Sequence, residues 1–197
     1  MRNKMLGLLI LALAGTFLTG CANNRIARLQ DVPSAEAIVV AKFRILYNGE
    51  DVTKGSVVIF NPLPPVIGTA KYQYVMDDSG YVFGTQPVGL NSINTIMHRT
   101  GLMQHRFKKD ELTCQLAGGG VINYLGDITI DWNGHGKGFG VATAAVSPIF
   151  NALVTGGGIA VAVDQNVAAA QEAVRQKFGT DRLLTPALLV VKPAGQR

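Results

Sequence analysis

The sequence predicts a mainly β protein: an antiparallel β-sandwich with one C-terminal helix packed on it. Three observations predict it. About seven strand-like segments follow one another at short spacing from Glu36, turn residues separate them, and only the stretch near 164–178 carries a helical stripe. At 197 residues and 48% hydrophobic content the chain can bury one core of ordinary size. Charged residues make up only 16%, so Gly, Asn, Thr, Ser and Gln supply much of the surface polarity, as suits a β-rich exported protein.

The strands follow in order. In "AIVVAKFRILYNG" Val40, Lys42 and Arg44 alternate with Val39, Ala41, Phe43 and Ile45, and Asn48-Gly49 ends the run with a strong turn signal. "SVVIFNP" is a second strand closed by Asn61-Pro62, and after a Pro-rich loop, Pro62 to Pro65, "AKYQYVMD" alternates again until Asp77-Asp78-Ser79-Gly80. Asp77 to Gly80 reads as a turn, since no further acids stand at calcium-loop spacing. "YVFGTQPVGLNSINTIMHR" gives two strands punctuated by Pro87 and Gly89. "ELTCQLAGGGVINYLGDITIDW" gives one before Gly118-Gly119-Gly120 and a longer one after it, in which a bulge or bend is expected at Gly126, between Ile122, Tyr124 and Ile128, Ile130. No βαβ alternation is visible.

The helix is expected to be capped by Asp164, to carry Val167, Ala170, Val174 and Phe178 on one stripe, and to end at Gly179. "TPALLVVKP", Thr185 to Pro193, reads as a last strand. Between the long strand and the helix, Gly138 to Val163 contains no charged residue. Pro148, Asn151 and Gly156-Gly157-Gly158 argue against a membrane-spanning helix, so the region is expected to be an apolar Gly/Ala-rich insertion at about 134–158 that returns through a "GGIAVAV" strand. An interfacial hairpin and a self-association surface are the other readings, the second because small residues allow close backbone approach.

The N-terminus reads as a secretory signal peptide: Arg2 and Lys4 supply positive charge, Met5 to Phe17 an uncharged apolar run too short to span a membrane comfortably, and Leu18-Thr19-Gly20 a small-residue exit. Leu18-Thr19-Gly20-Cys21 resembles the lipobox of bacterial lipoproteins. The resemblance implies cleavage between Gly20 and Cys21, a diacylglycerol thioether on Cys21, a palmitate-class chain on the new amino group, and no other cofactor. A thiol suits this chemistry because its thiolate is a strong nucleophile near neutral pH. Ala22 implies sorting to the outer membrane of a Gram-negative envelope, facing the periplasm or the exterior, since Asp at that position tends to retain such proteins at the inner membrane. The expected organisation is therefore a removed signal peptide at 1–20, a polar tether at 21–35, and a sandwich domain at 36–197.

"NGEDVTKGSVVIFNP" together with "DDSGYVFGTQPVGLNSI" resembles transthyretin-like or carboxypeptidase-regulatory-like modules, which implies an immunoglobulin-like or transthyretin-like sandwich and transfers no catalytic residue. "YLGDITIDW" is similar to a strand found in bacterial lipoproteins of unknown role.

Loss of Arg2 and Lys4 leaves 16 basic against 13 acidic residues, a net charge of +3, which does not suggest a nucleic-acid binder. With Cys21 acylated, Cys114 has no disulfide or zinc-pair partner and reads as a buried small hydrophobe beside Leu112 and Leu116. His98 and His105 frame "HRTGLMQHRFKK", whose Arg99, Arg106, Lys108 and Lys109 form the basic cluster. It reads as a solvated loop or as a contact for phosphate on lipopolysaccharide or lipid headgroups. Two histidines seven apart do not make a metal site. "GHGKGFG", Gly134 to Gly140, lacks phosphate-loop spacing and reads as a hairpin loop, and Asp127, Asp131 and His135 recur every fourth residue, too spread for an acid/base pair. No G-x-S-x-G, H-E-x-x-H, S-x-x-K or C-x-x-C occurs.

The expected function is a lipid-anchored, non-enzymatic interaction or structural module of the envelope, with the membrane as one partner and an envelope protein or polyanion as another. Two alternatives stay open: a membrane-assembly or pore-associated lipoprotein that oligomerises through Gly138–Val163, and an envelope hydrolase using Cys114 or the His135 region.

Overall fold

The computed structural model describes residues 26–64, 72–98, 103–133, 153–155 and 158–192. Gly20, Cys21, Arg99, His135 and most of the 134–158 insertion lie outside these.

β1 (Glu36–Tyr47) lies at the centre of the first sheet. Its run Ala37 to Ala41 is buried on both faces, and the predicted alternation sets in from Lys42. At Asn48-Gly49 both residues have positive φ, 50° and 85°, so the chain reverses tightly into β2 (Glu50–Asp51). β3 (Val57–Pro62) and β4 (Gln73–Val75) open the second sheet, β5 (Tyr81–Pro87) returns to β1, and β6 (Gly89–His98) pairs with β3.

The 98–109 stretch is more than a loop. β7 (Met103–Arg106) pairs with Thr95 to His98 of β6, which satisfies that half of the strand's backbone, while β8 (Leu112–Leu116) pairs with its other half. β9 (Ile122–Trp132) lies beside β1, and β10 (Leu153–Thr155) and β11 (Ile159–Asp164) follow on its other side. β11 is the predicted return strand of the apolar insertion, with Ile159 and Val161 fully buried. Among the described residues no helix is long and apolar enough to cross a membrane.

The two sheets form the predicted sandwich. Most strand pairs are antiparallel; β1–β9 and the pair of β9 with β12 (Leu184–Pro186) are parallel, which the sequence did not indicate. The inter-sheet core holds Phe43, Ile45, Val58, Phe60, Tyr74, Ile93, Leu112, Leu116, Ile128 and Ile130.

Gly126 is the expected bulge. Val40 pairs with Tyr124 but Lys42 with Asp127, so two residues of β9 oppose one of β1. Strict alternation would put every even-numbered side chain of β9 on one face. The extra residue instead sends Ile122 and Tyr124 to the outer face and Ile128, Ile130 and Trp132 to the inner one.

On the outer face lies helix α1 (Val167–Phe178), with Ala170 and Val174 buried against Ile38, Val40, Ile122 and Tyr124. Asn166, not Asp164, is its N-cap: the Asn166 side chain accepts a hydrogen bond from the Ala169 amide at 3.3 Å, while β11 continues through Asp164 and claims that residue for the sheet. The C-terminus is as expected, Gly179 being left-handed with its amide on the Arg175 carbonyl.

Thr185 to Pro193 is not one strand. β12 (Leu184–Pro186) adds to the first sheet and β13 (Val190–Val191) to the second. Between them the Ala187 and Leu189 amides donate to the Tyr124 and Leu125 carbonyls, so the chain crosses between sheets beside the Gly126 bulge.

Residues 26–35, within the stretch expected to be a tether, are described and lie on the domain. The Ile26 amide donates to the Phe83 carbonyl at 3.0 Å, and Ile26, Leu29 and Val32 pack against the outer cluster under α1.

Candidate functional site

The residues predicted to carry chemistry are not gathered into one site. Cys21 and Gly20, the lipidation and cleavage residues, and Arg99 lie outside the described residues. Arg106 ends β7, Phe107 turns inward, and Lys108 and Lys109 stand exposed in the turn that follows. That turn is built by a reciprocal pair: the Glu111 amide donates to the Lys108 carbonyl at 3.1 Å and the Lys108 amide to the Glu111 carboxylate at 2.8 Å. Asp110 meets Lys192 at 3.6 Å. The three cations thus share one open turn with two acids, an arrangement for loose contact with an anionic surface rather than for enclosing a small anion.

Cys114 faces the inter-sheet core with Leu112 and Leu116, as expected, and burial pushes its thiol up to about 12. A thiol so placed is protonated at neutral pH and sealed from substrate, so it does not serve as a nucleophile. In the native protein a maleimide probe is expected to leave Cys114 unlabelled over hours, with full labelling after denaturation. Rapid native labelling would return the thiol to the list of reactive groups.

Sequence reasoning missed the approach of Ser56 to His98, 3.1 Å between Oγ and Nδ1. It looks like a nucleophile and its base, but Ser56 Oγ donates its one proton to the Val52 carbonyl at 2.6 Å, so Nδ1 must donate to Oγ. Ser56 is also fully buried. The pair pins β6 to the turn before β3 and has no substrate-facing hydroxyl. No sequence signal joins two residues 42 apart.

His105 packs edge-on against Phe107, ring centroids 4.7 Å apart, and burial holds its imidazole below the usual 6.5 while Glu111 partly opposes the shift. Among the described residues no three His, Cys, Asp or Glu side chains stand close enough to hold a metal ion. Asp127 accepts the Tyr124 hydroxyl at 2.7 Å and so orients the ring over which α1 begins.

Two shallow clefts flank the Asp77–Gly80 turn, where Asp77 accepts from the Ser79 amide at 3.0 Å and fixes the loop. One, of about 390 Å³, lies between that turn, the stacked rings of Tyr81 and Phe83, and Lys177 of α1. The other, of about 460 Å³, lies between Lys42, Arg44, Asp51 and Lys54. Two of its three cations pair with acids, Arg44 with Asp51 at 3.3 Å and Lys54 with Asp78 at 3.0 Å, and Lys42 lies over the Tyr81 ring at 5.5 Å. The Asp51 carboxyl is held below its ordinary value chiefly by the Thr53 hydroxyl, with help from Arg44. In each a hydroxyl donates to a carboxylate two residues before it, Ser79 to Asp77 in the first and Thr53 to Asp51 at 2.6 Å in the second, local contacts that fix their loops.

No protein-family model, no curated protein and no solved structure matches this chain.

Proposed function

We propose that this chain is a lipid-anchored lipoprotein of the bacterial outer membrane whose β-sandwich is a non-enzymatic interaction or structural module. The observation that carries the reading is the agreement in position of four features: the charged start at Arg2 and Lys4, the apolar run to Phe17, the small residues Thr19 and Gly20, and Cys21 directly behind them. Each buried methylene of an acyl chain contributes about 0.8 kcal/mol, so one chain anchors reversibly and the three implied here hold far longer. The domain then needs no transmembrane element of its own. The exposed turn of Arg106, Lys108 and Lys109 supplies a face for an anionic envelope partner.

The test is expression of the full chain and of Cys21→Ser in a Gram-negative host. Wild type is expected in the outer-membrane fraction with an intact mass that starts at Cys21 and carries three acyl chains. Cys21→Ser is expected in the soluble periplasmic fraction. Membrane fractionation of the serine variant, or a wild-type mass without acyl groups, overturns the proposal.

A further inference from the structure

The exposed large apolar side chains are Val88, Leu90, Leu183 and Val190, at 48, 43, 83 and 55% exposure among the described residues. Three of the four stand at one end of the sandwich. Val88 links β5 to β6 and Leu90 is the second residue of β6, where the Leu63 amide donates to the Leu90 carbonyl at 2.8 Å. Leu183 directly precedes β12, whose Leu184 pairs with Ile122 at the start of β9. The glycine loop before β9 joins the two sites: Val88 packs where a side chain on Gly118 would stand, and Arg182 lies 3.8 Å from the corresponding point on Gly120. The result is a set of aliphatic tips at one end with the Arg182 guanidinium beside them and Glu36, opposite Pro87, at the start of β1.

The opposite end has a different character, with Glu50, Asp51, Lys54 and Asp78 around the Asn48-Gly49 turn. The outward face of α1 is also charged, Arg175 bridging Glu172 and Asp181 at 3.0 and 2.8 Å.

We infer that this apolar end, with Val88, Leu90 and Leu183 at its tip, dips into the lipid surface that holds the protein. The inference rests on the proposed acylation of Cys21. Only residues 22–25 separate Cys21 from Ile26, which is tied to Phe83 of β5. Five Cα steps span at most about 17 Å, so the bilayer lies within that distance of Ile26. Val88 is five residues beyond Phe83 along an extended strand, at most about 17 Å away. The link therefore reaches the apolar end; Asp78 of the charged end, five residues before Phe83, is within the same reach, so it is the aliphatic tips at 88, 90 and 183 that decide which end gains from contact with lipid. Burying three aliphatic tips adds to the anchor, and Arg182 sits where headgroup phosphates lie. The surface it fits is lipid, not a protein groove.

The test uses the full-length acylated protein with Val88→Cys, labelled with an environment-sensitive fluorophore and reconstituted into phosphatidylethanolamine/phosphatidylglycerol vesicles with brominated acyl chains. Leu183→Cys is a second reporter in case the first disturbs the turn, and Lys54→Cys marks the far end. Labels at 88 and 183 are expected to shift to the blue and to be quenched roughly threefold more than the label at 54. Equal quenching at both ends, on protein whose intact mass carries the acyl groups, overturns the inference and leaves the anchor standing. A shift at 88 in native envelopes but not in protein-free vesicles assigns the tips to a protein partner and likewise overturns it. A chain without acyl mass overturns both readings.

Discussion

Deleting Gly126 is expected to yield a chain that does not reach the native fold. The deletion restores strict alternation to β9, and a one-residue change of register turns Ile128, Ile130 and Trp132 from the core to the outer face and brings Asp127, Thr129 and Asp131 inward in their place. The milder Gly126→Ala keeps the residue count but puts a Cβ at φ +109°, 2.6 Å from Val163 Cγ1 and 3.0 Å from the Asp164 carbonyl. It is expected to cost about 3 kcal/mol through backbone strain and overpacking together. Trp132, 8% exposed, is the reporter: the deletion variant should show red-shifted, denatured-type emission without denaturant. A cooperative unfolding transition and native emission from that variant would show that the bulge does not set the register.

Gly84→Ala is expected to lower stability by about 3 kcal/mol, at the upper end of overpacking costs, and the melting temperature by roughly 6–12 °C. Tyr74 is the reason. Its ring crosses from the second sheet to the first and occupies the space above Gly84, so an added Cβ would stand 2.1 Å from Cε1 and 2.6 Å from the hydroxyl oxygen. The ring cannot retreat without loss, because its hydroxyl donates to the Thr85 carbonyl at 2.6 Å, accepts from Gln86 at 2.9 Å, and its edge meets Phe60 at 5.6 Å. In a Tyr74→Leu background, already weakened by the unpartnered Thr85 carbonyl and Gln86 amide, the same alanine is expected to add under about 1 kcal/mol, since neighbours in contact are not additive. Thermal unfolding of the four proteins of this cycle decides it. Additive losses would mean that Gly84 acts through its backbone and not through the ring.

Much of the sandwich was legible because local signals and tertiary contacts agree in it. Asn48-Gly49, Pro87 and Gly89 mark turns by their own backbone preferences, and the stripe Val167, Ala170, Val174, Phe178 needs only the period of a helix. What failed did so where a distant partner decides. β7 has no strong strand composition, yet without it half of β6 would lack ladder partners on the edge away from β3. Asp164 is a good cap by type, but β9 holds it in the ladder through the register Asp164 to Asp127. Thr185 to Pro193 looks continuous and is divided because Tyr124 and Leu125 offer carbonyls to Ala187 and Leu189 at the crossing. The candidate site was less legible still. Lys108 and Lys109 could be read as exposed charge, but Ser56 meeting His98, and Val88 lying beside Gly118, depend on how separate strands are brought to one end.

The parallel pairing of β1 with β9 bears on how the chain comes into being. β1 is complete at Tyr47, but its neighbour on one side is not complete until Trp132. A nascent polypeptide that emerges from its amino end therefore presents one bare strand edge through the synthesis of β3 to β8, with Ile38, Val39 and Val40 beside it. Such non-local closure is slow. Holdase chaperones that cover this strand before β9 arrives should govern the yield of native protein more than any contact in the finished sandwich.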